Sequence, residues 1–365
     1  MKPRIAILQP EVPHYREEFF QKLGEQCEVA DIYVYNSFEQ TRKHGFKINT
    51  DGIRHIRNWK RHGVLMYNPL LLCSKRYDTL VLMLHFAHIT TWLLLLTKWL
   101  HRKKIILWGQ GISVKRYLKE TKKPDWKLKW QIALTDGVWI YEEPEAKQWQ
   151  HIFPNKPIIA LNNTLTGAEE MCEWSVNCDE RKRIRSQWAI TQDIVFIFCA
   201  RFDNDYRRPD LLIETIERLD AEKYGFIIIG EGRNKPDFSR YKNVYSVGAV
   251  YDSEIKQDLF AAADIYIQPG WVGLSIVEAM AYGKPVCTFA RSKETLQCVE
   301  YCYIEDGVNG YIFNDMTDCI NRLTATPLNK FQEMGKNAKE LVKTKLTPQK
   351  MAESAYSVLK RVVEL

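Results

Sequence analysis

Short runs of consecutive apolar residues alternate along the chain with longer stretches whose apolar positions recur every three or four residues. Runs that are apolar at every position predict strands buried on both faces, hence parallel sheets covered by helices. Arg4–Leu8, Val29–Tyr35, Thr79–Leu84, Lys104–Leu107 and Gly137–Tyr141 form one such set. Ile194–Cys199, Phe226–Ile229, Asn243–Val247, Ile265–Gln268, Val286–Phe289 and Gly310–Phe313 form a second. Between them, residues 165–190 pass from a small polar turn to a charged helix, the expected junction of two α/β domains. The closing segment Pro348–Leu365 has helical period, with Met351, Ala355, Val358, Leu359 and Val362 on one side.

Leu80–Leu100 approaches the length of a membrane span, with only His85, His88 and Lys98 ionisable in 21 residues. A polar turn divides it into a buried strand and a helix, Thr90–His101, followed by Arg102–Lys104. That helix is apolar nearly all round. It suits either a core position, with cations complementing its carboxyl end, or a monotopic membrane contact.

A length of 365 residues is about two ordinary domains, and 45% hydrophobic residues suffice for two cores. With 27% charged and 12% aromatic residues, disorder and collagen-like chains are excluded. The net charge of +7 is uneven: residues 1–165 hold 26 Lys and Arg against 15 Asp and Glu, and residues 166–365 hold 26 against 30. A basic first half expects an anionic partner, whereas the acidic second half argues against nucleic acid. Nine cysteines without a C-x-x-C pair read as reduced, mostly buried thiols. The first apolar run is too short for a secretory core, so a cytosolic protein is expected. No fixed-period repeat is present.

The chemical signals lie in the second half. After Ile265–Gln268 comes Pro269–Gly270–Trp271–Val272–Gly273–Leu274–Ser275, then a helix from near Gly273 to Gly283. Its first N–H groups suit an anion. Alternatively, Ser275 and Glu278 form a capping box. After Ile194–Cys199, Arg201 and Arg207 stand six residues apart before a helix, where two guanidiniums can fork onto a diphosphate or remain solvated. Gly230–Glu231–Gly232 is a G-x-G turn through which backbone can approach a nucleotide, a weak signal alone.

In this order and spacing, Arg201 to Leu212, Ile229 to Gly232, Asp264 to Pro285 and Asp306 to Tyr311 resemble the donor-binding domain of the retaining glycosyltransferases of family four. The first half matches more loosely, through Ile5–Arg16, Leu107–Gly111 and Asp136–Tyr141. The resemblance implies an α/β protein of the GT-B fold, with two Rossmann-like parallel-sheet domains facing across a cleft. An acceptor domain over 1–170 and a nucleotide-sugar domain over 185–345 are expected, with a closing helix over 346–365 returning to the first. It implies that Arg201 and Arg207 hold the donor diphosphate and that Glu278 contacts the donor ribose, with Gly230, Glu231, Gly248, Gly270, Gly273, Leu274 and Ser275 around the donor. Gly270 stands where the family has a glutamate, so that carboxylate contact is missing.

On the acceptor side, His14 and Arg16 open a helix after the first strand, where they face a ligand or cap and solvate the first turn. Gln110 lies near a position where related sequences carry a histidine; it orients a hydroxyl but cannot act as a base. His85 and His88 read as packed histidines. The basic stretches Arg54–His62 and Lys115–Lys129, the latter interleaved with Tyr117, Trp126 and Trp130, suit a lipid headgroup surface or a solvated face.

The expected activity is retaining transfer of a sugar from a nucleotide-diphosphate sugar to a carbohydrate or polyprenyl-diphosphate-linked acceptor, in bacterial surface polysaccharide synthesis. The nucleotide sugar is a co-substrate; no further cofactor and no metal is expected, since no Asp-x-Asp motif ends a strand and Asp203-x-Asp205 reads as turn chemistry. Peripheral contact with an anionic membrane on its cytoplasmic face is the remaining partner expectation. A nucleotide-sugar epimerase of the same fold and a non-catalytic binding or scaffold protein are the alternatives.

Overall fold

The computed structural model describes residues 2–43 and 52–364, which divide into two compact units, 1–166 with 347–365, and 167–346. In the first unit the order is β1 (Arg4–Gln9), α1 (Glu17–Gln26), β2 (Val29–Val34), α2 (Phe38–Lys43), β3 (Ile53–His55), β4 (Asn58–Arg61), β5 (Val64–Tyr67), β6 (Thr79–Met83), α3 (Ile89–Leu96), α4 (Lys98–His101), β7 (Lys104–Gly109), α5 (Tyr117–Glu120), α6 (Trp126–Leu134), β8 (Gly137–Ile140), α7 (Glu143–Ile152) and β9 (Ile158–Ala160). A seven-stranded parallel sheet has the order β3-β2-β1-β6-β7-β8-β9, and β4-β5 is a separate antiparallel hairpin.

The second unit contains α8 (Ala168–Glu173), α9 (Cys178–Gln187), β10 (Ile194–Cys199), α10 (Pro209–Arg218), β11 (Tyr224–Ile229), β12 (Val244–Gly248), α11 (Ser253–Ala262), β13 (Ile265–Ile267), α12 (Ser275–Ala281), β14 (Val286–Phe289), β15 (Gly310–Phe313), α13 (Met316–Ala325) and α14 (Leu328–Lys345). Its parallel sheet has the order β12-β11-β10-β13-β14-β15. The last helix, α15 (Pro348–Glu364), buries Met351, Ala355, Val358, Leu359 and Val362 and packs within the first unit on α1 and on β7, β8 and β9.

All eleven apolar runs form strands; β1, β7, β10 and β11 are buried along nearly their whole length, whereas the edge strand β12 has no buried residue. Each sheet carries its own core. Leu8, Leu82, Leu107, Ile140 and Trp149 belong to the first, and Phe196, Phe198, Phe226, Ile267 and Phe313 to the second. Helix starts follow capping chemistry: the Asp125, Asn177, Asp252 and Asp315 side chains accept backbone N–H groups at the starts of α6, α9, α11 and α13. The charged stretch read as a junction becomes α8 and α9. Arg181 and Arg185 of α9 both bind the Asp264 carboxylate, whose Oδ2 also accepts the Val195 N–H at 2.9 Å.

Two expectations need correction. The helix expected over Thr90–His101 is two helices broken at Thr97, whose hydroxyl donates to Leu93 O at 2.7 Å. It is also not a core helix throughout: Thr90, Thr91, Leu94 and Leu95 are buried, whereas Ile89, Leu93, Leu96, Trp99 and Leu100 are exposed.

Gly335, inside α14, shows how closely the second unit is packed. A Cβ built there lies 2.1 Å from Gly283 O. Alanine ordinarily stabilises a helix interior by about 1 kcal/mol over glycine. The clash reverses that sign, and Gly335→Ala is expected to destabilise the protein by about 1–3 kcal/mol in urea unfolding; a stabilised variant would contradict this packing.

Candidate functional site

In the second unit the chain runs outward from β10 through β11 to β12, then returns to the other side of β10 at β13. The carboxyl ends of β10 and β13 are therefore a topological switch point, where the connections diverge and leave room for a ligand. The loop after β10 carries Arg201 and Arg207; the loop after β13 leads through Gly270–Leu274 to α12.

The β10 loop is shaped by the G-x-G turn. β10 and β11 end level, with Cys199 opposite Ile229, and Ala200 N–H donates to Ile229 O at 3.0 Å. Phe202 N–H then donates to Glu231 O at 2.9 Å and Asn234 N–H to Phe202 O at 2.9 Å. Gly230 and Gly232 adopt φ of 147° and 150°, and a Cβ at either would strike Ala200 O or the Phe202 backbone, at 2.0 and 2.4 Å. The glycines thus serve the approach of two loops to each other, which accounts for the turn without a nucleotide. Gly248, at φ 75°, accepts Gly230 N–H through its carbonyl at 2.8 Å, and the Glu231 carboxylate pairs with Lys235 at 2.8 Å.

Arg201 leaves this loop with 63% of its side chain exposed and lies 3.6 Å from Asp203. Arg207 is different. Its Nη1 donates to Trp271 O, and no carboxylate among the described residues lies within ion-pair distance of it. Burial pushes its pKa below the ordinary arginine value, opposed by Tyr266 at Coulombic range, and Arg201 adds like-charge repulsion. A half-buried guanidinium held by a neutral carbonyl remains charged, and an anion reaching it gains from the partial desolvation.

The β13 loop is held by a fully buried amide, Gln268, which the motif reading did not single out. Its Oε1 lies 2.6 Å from the Tyr266 hydroxyl and 3.0 Å from Ser275 Oγ, and its Nε2 donates to Trp271 O at 2.6 Å. Trp271 stacks on Tyr206 at 4.8 Å between centroids, tying the two loops together. The hydrogen bonds of α12 begin with Ile276 N–H donating to Gly273 O at 3.0 Å, so the N–H groups of Gly273, Leu274 and Ser275 stand ahead of its ladder. Ser275 and Glu278 form no capping box: Ser275 Oγ bonds Gln268, and Glu278 pairs with Lys256 of α11 at 2.7 Å. Burial opposes the Lys256 charge, but Glu278 outweighs it and holds that amine above its ordinary pKa.

Gly270 cannot simply have its side chain restored. A Cβ there would lie 2.5 Å from Tyr206 O and 2.8 Å from Arg208 Cγ. Arg208 occupies that place from a left-handed backbone, φ 55°, and its guanidinium binds Asp210 at 2.6 Å and Thr295 Oγ1 at 2.5 Å.

The first unit has a corresponding switch point between β1 and β6. His14 is exposed there. Arg16 stands at the N-cap position of α1 without a side-chain capping hydrogen bond: its guanidinium lies 5.0 Å from both the Trp108 and Tyr141 rings, and its Nη2 donates to Asn163 Oδ1 at 3.2 Å. After β6, exposed His85 stacks on buried His88 at 4.8 Å; burial lowers His88 to about 3, so it is neutral near pH 7. Gln110 is exposed at the end of β7, in a turn set by Gly111 at φ 68°. Beneath it, Glu145 Oε1 accepts from Ile112 N–H at 3.0 Å and Trp149 Nε1 at 2.8 Å.

Burial raises Glu145 from 4.5 to about 8, against the lowering by the Trp149 hydrogen bond. The folded protein therefore keeps a proton that the unfolded chain releases, and this contribution is present below pH 4.5 and lost as pH rises to about 8. Glu145→Gln keeps an acceptor but cannot ionise. Its melting temperature relative to the parent is expected to rise from about pH 5 to about pH 9; a pH-independent difference would contradict a protonated Glu145. Gly270→Ala is expected to cost about 1–3 kcal/mol, with Arg208→Ala in the same chain recovering part of it. Unfolding curves showing an additive pair would contradict the shared space.

No functionally curated protein is similar in sequence to this chain. Among solved structures of similar fold, HepE of Anabaena, crystallised with UDP and glucose, is 15% identical with a TM-score of 0.61, covering 98% of this chain and 99% of its own. A glycosyltransferase of Rickettsia africae is 13% identical with a TM-score of 0.64, covering 100% and 99%. The α,α-trehalose 6-phosphate synthase of Burkholderia multivorans is 9% identical with a TM-score of 0.64, covering 100% and 98%. Residues 193–326, which include the β10 and β13 loops, match the family described as glycosyl transferases group 1. The chain is thus a protein of the GT-B fold, two Rossmann-like parallel-sheet units, and part of its second unit is similar to the glycosyl transferases group 1 family.

Proposed function

We propose that this protein transfers a sugar from a nucleotide-diphosphate sugar to a carbohydrate or lipid-linked acceptor, with retention of configuration, as a step in surface polysaccharide assembly. The observation that carries the reading is the half-buried Arg207 guanidinium at the β10–β13 switch point, without a carboxylate within ion-pair distance among the described residues. A diphosphate supplies the missing negative charge. Arg201, exposed six residues earlier and near enough to repel Arg207, reaches the same anion from the solvent side. The N–H groups of Gly273, Leu274 and Ser275 stand in the adjoining loop. Similar folds have been solved with UDP and with UDP-glucose, which makes these the first donors to test.

Breaking the glycosyl–diphosphate bond leaves negative charge on the departing phosphate and positive charge on the sugar ring. The two arginines stabilise the leaving group and take the role that a divalent cation would otherwise fill. The acceptor oxygen attacks the anomeric carbon from the face the diphosphate leaves, and its proton passes to a leaving phosphate oxygen. This route uses no enzyme carboxylate as nucleophile, in keeping with the side-chain space at Gly270 being filled by Tyr206 O and Arg208. Glu278, already oriented by Lys256, is the acceptor for the ribose hydroxyls.

Arg207→Ala is expected to lower turnover on the order of a hundredfold, equivalent to about 3 kcal/mol of barrier. Glu278→Ala is expected to weaken donor binding more than turnover. Proton NMR of the product should show the anomeric configuration of the donor, and chelation of divalent ions should leave the rate unchanged. An inverted product, an isomeric sugar formed from donor alone, or binding without turnover across acceptors would each overturn the reading.

A further inference from the structure

One surface of the first unit is not used by the proposed chemistry. Leu93 and Leu96 of α3 and Leu100 of α4 are 54%, 61% and 68% exposed, beside Trp99 at 77%. The opposite side of α3 already packs into the core through Leu94 and Leu95. The outer row is therefore surplus to the fold, and single exposed leucines are ordinary whereas a row is not.

A second helix extends the surface. α6 packs beside α3, and Lys98 of α4 reaches its end, with Nζ 3.3 Å from Leu134 O. α6 buries Leu128 and Ile132 but exposes Trp126 and Trp130, at 65% and 57%. Residues 98–130, which run from α4 into α6, hold 11 Lys and Arg against 2 Asp and Glu. Arg102, Lys122, Lys123, Lys127 and Lys129 are all exposed. No helix among the described residues is long and apolar enough to cross a membrane.

We infer that the outer face of α3, α4 and α6 docks on an anionic lipid bilayer, with Leu93, Leu96, Trp99 and Leu100 entering the headgroup boundary and the surrounding cations binding acidic headgroups. Leucine in the boundary, tryptophan at its level and Lys/Arg around them is the chemistry of an interfacial helix. Charge decides against the other simple occupant. A second copy on this face would bring two strongly basic surfaces together. A nucleic acid would use the cations but gain nothing from the leucine row.

The test is co-sedimentation of the full chain with vesicles of phosphatidylglycerol and phosphatidylcholine, against phosphatidylcholine alone. The protein should bind the anionic vesicles, less as salt rises. L96E/L100E and K122E/K123E/K127E should each lower the partition coefficient at least about tenfold. Both variants change exposed side chains of the first unit only, and nucleotide binding by the second should be unchanged, which separates this inference from the donor site. Failure of the parent to bind anionic vesicles, binding unchanged in L96E/L100E, or sedimentation equilibrium showing a dimer that L96E/L100E dissolves, would overturn it.

Discussion

The candidate site of the second unit depends on a half-buried cation without a carboxylate at ion-pair distance among the described residues. Arg207 stands at the carboxyl edge of a parallel sheet, where its guanidinium donates to the Trp271 carbonyl. A buried charge opposite a neutral acceptor works against stability, so its neighbours must hold it in place. Trp271 O is fixed by a second donor, Gln268 Nε2, and the Trp271 ring by its stack on Tyr206. Gln268 is in turn held by Tyr266 and by Ser275 at the start of α12. One chain of contacts thus links the arginine, the loop and the helix.

The G-x-G turn belongs to the same construction. By letting the β11 loop approach the β10 loop backbone to backbone, Gly230 and Gly232 fix where Arg201 and Arg207 begin. Their contribution to a ligand is indirect. Gly270 and Arg208 show a local trade of space, in which an arginine side chain, from a backbone conformation that favours glycine, fills the position beside a glycine. The pair alters what the loop presents without altering its path.

The two sheets were legible because buried parallel strands are apolar at every position, a signal that survives without tertiary information. β3 and β9, three residues each, were too short to register, and the β4 strand of the hairpin, Asn58–Arg61, is exposed throughout and has no apolar period. Arg201, Arg207 and Glu278 were legible as a spaced set. What each one touches was not. Lys256 lies 22 positions from Glu278, Trp271 lies 64 from Arg207, and the rings around Arg16 come from β7 and the segment after β8. Gln268 lies at a strand end just before Pro269–Gly270, and that placement was the available clue. The outward leucines of α3 and α4 look in sequence like the inward ones, since periodicity cannot tell which side of an all-apolar helix meets the core.

A cation kept for a ligand has an energetic signature that a structural cation lacks, and replacing Arg207 by methionine, of similar reach but uncharged, exposes it. Calorimetric titration with UDP, paired with the melting temperature of the unliganded protein, is the most direct measurement. Arg207→Met should lose nucleotide affinity while the unliganded protein melts at a higher temperature than the parent. A variant that binds UDP like the parent, or melts lower when unliganded, would show Arg207 to be a structural residue and leave the donor site without its central charge.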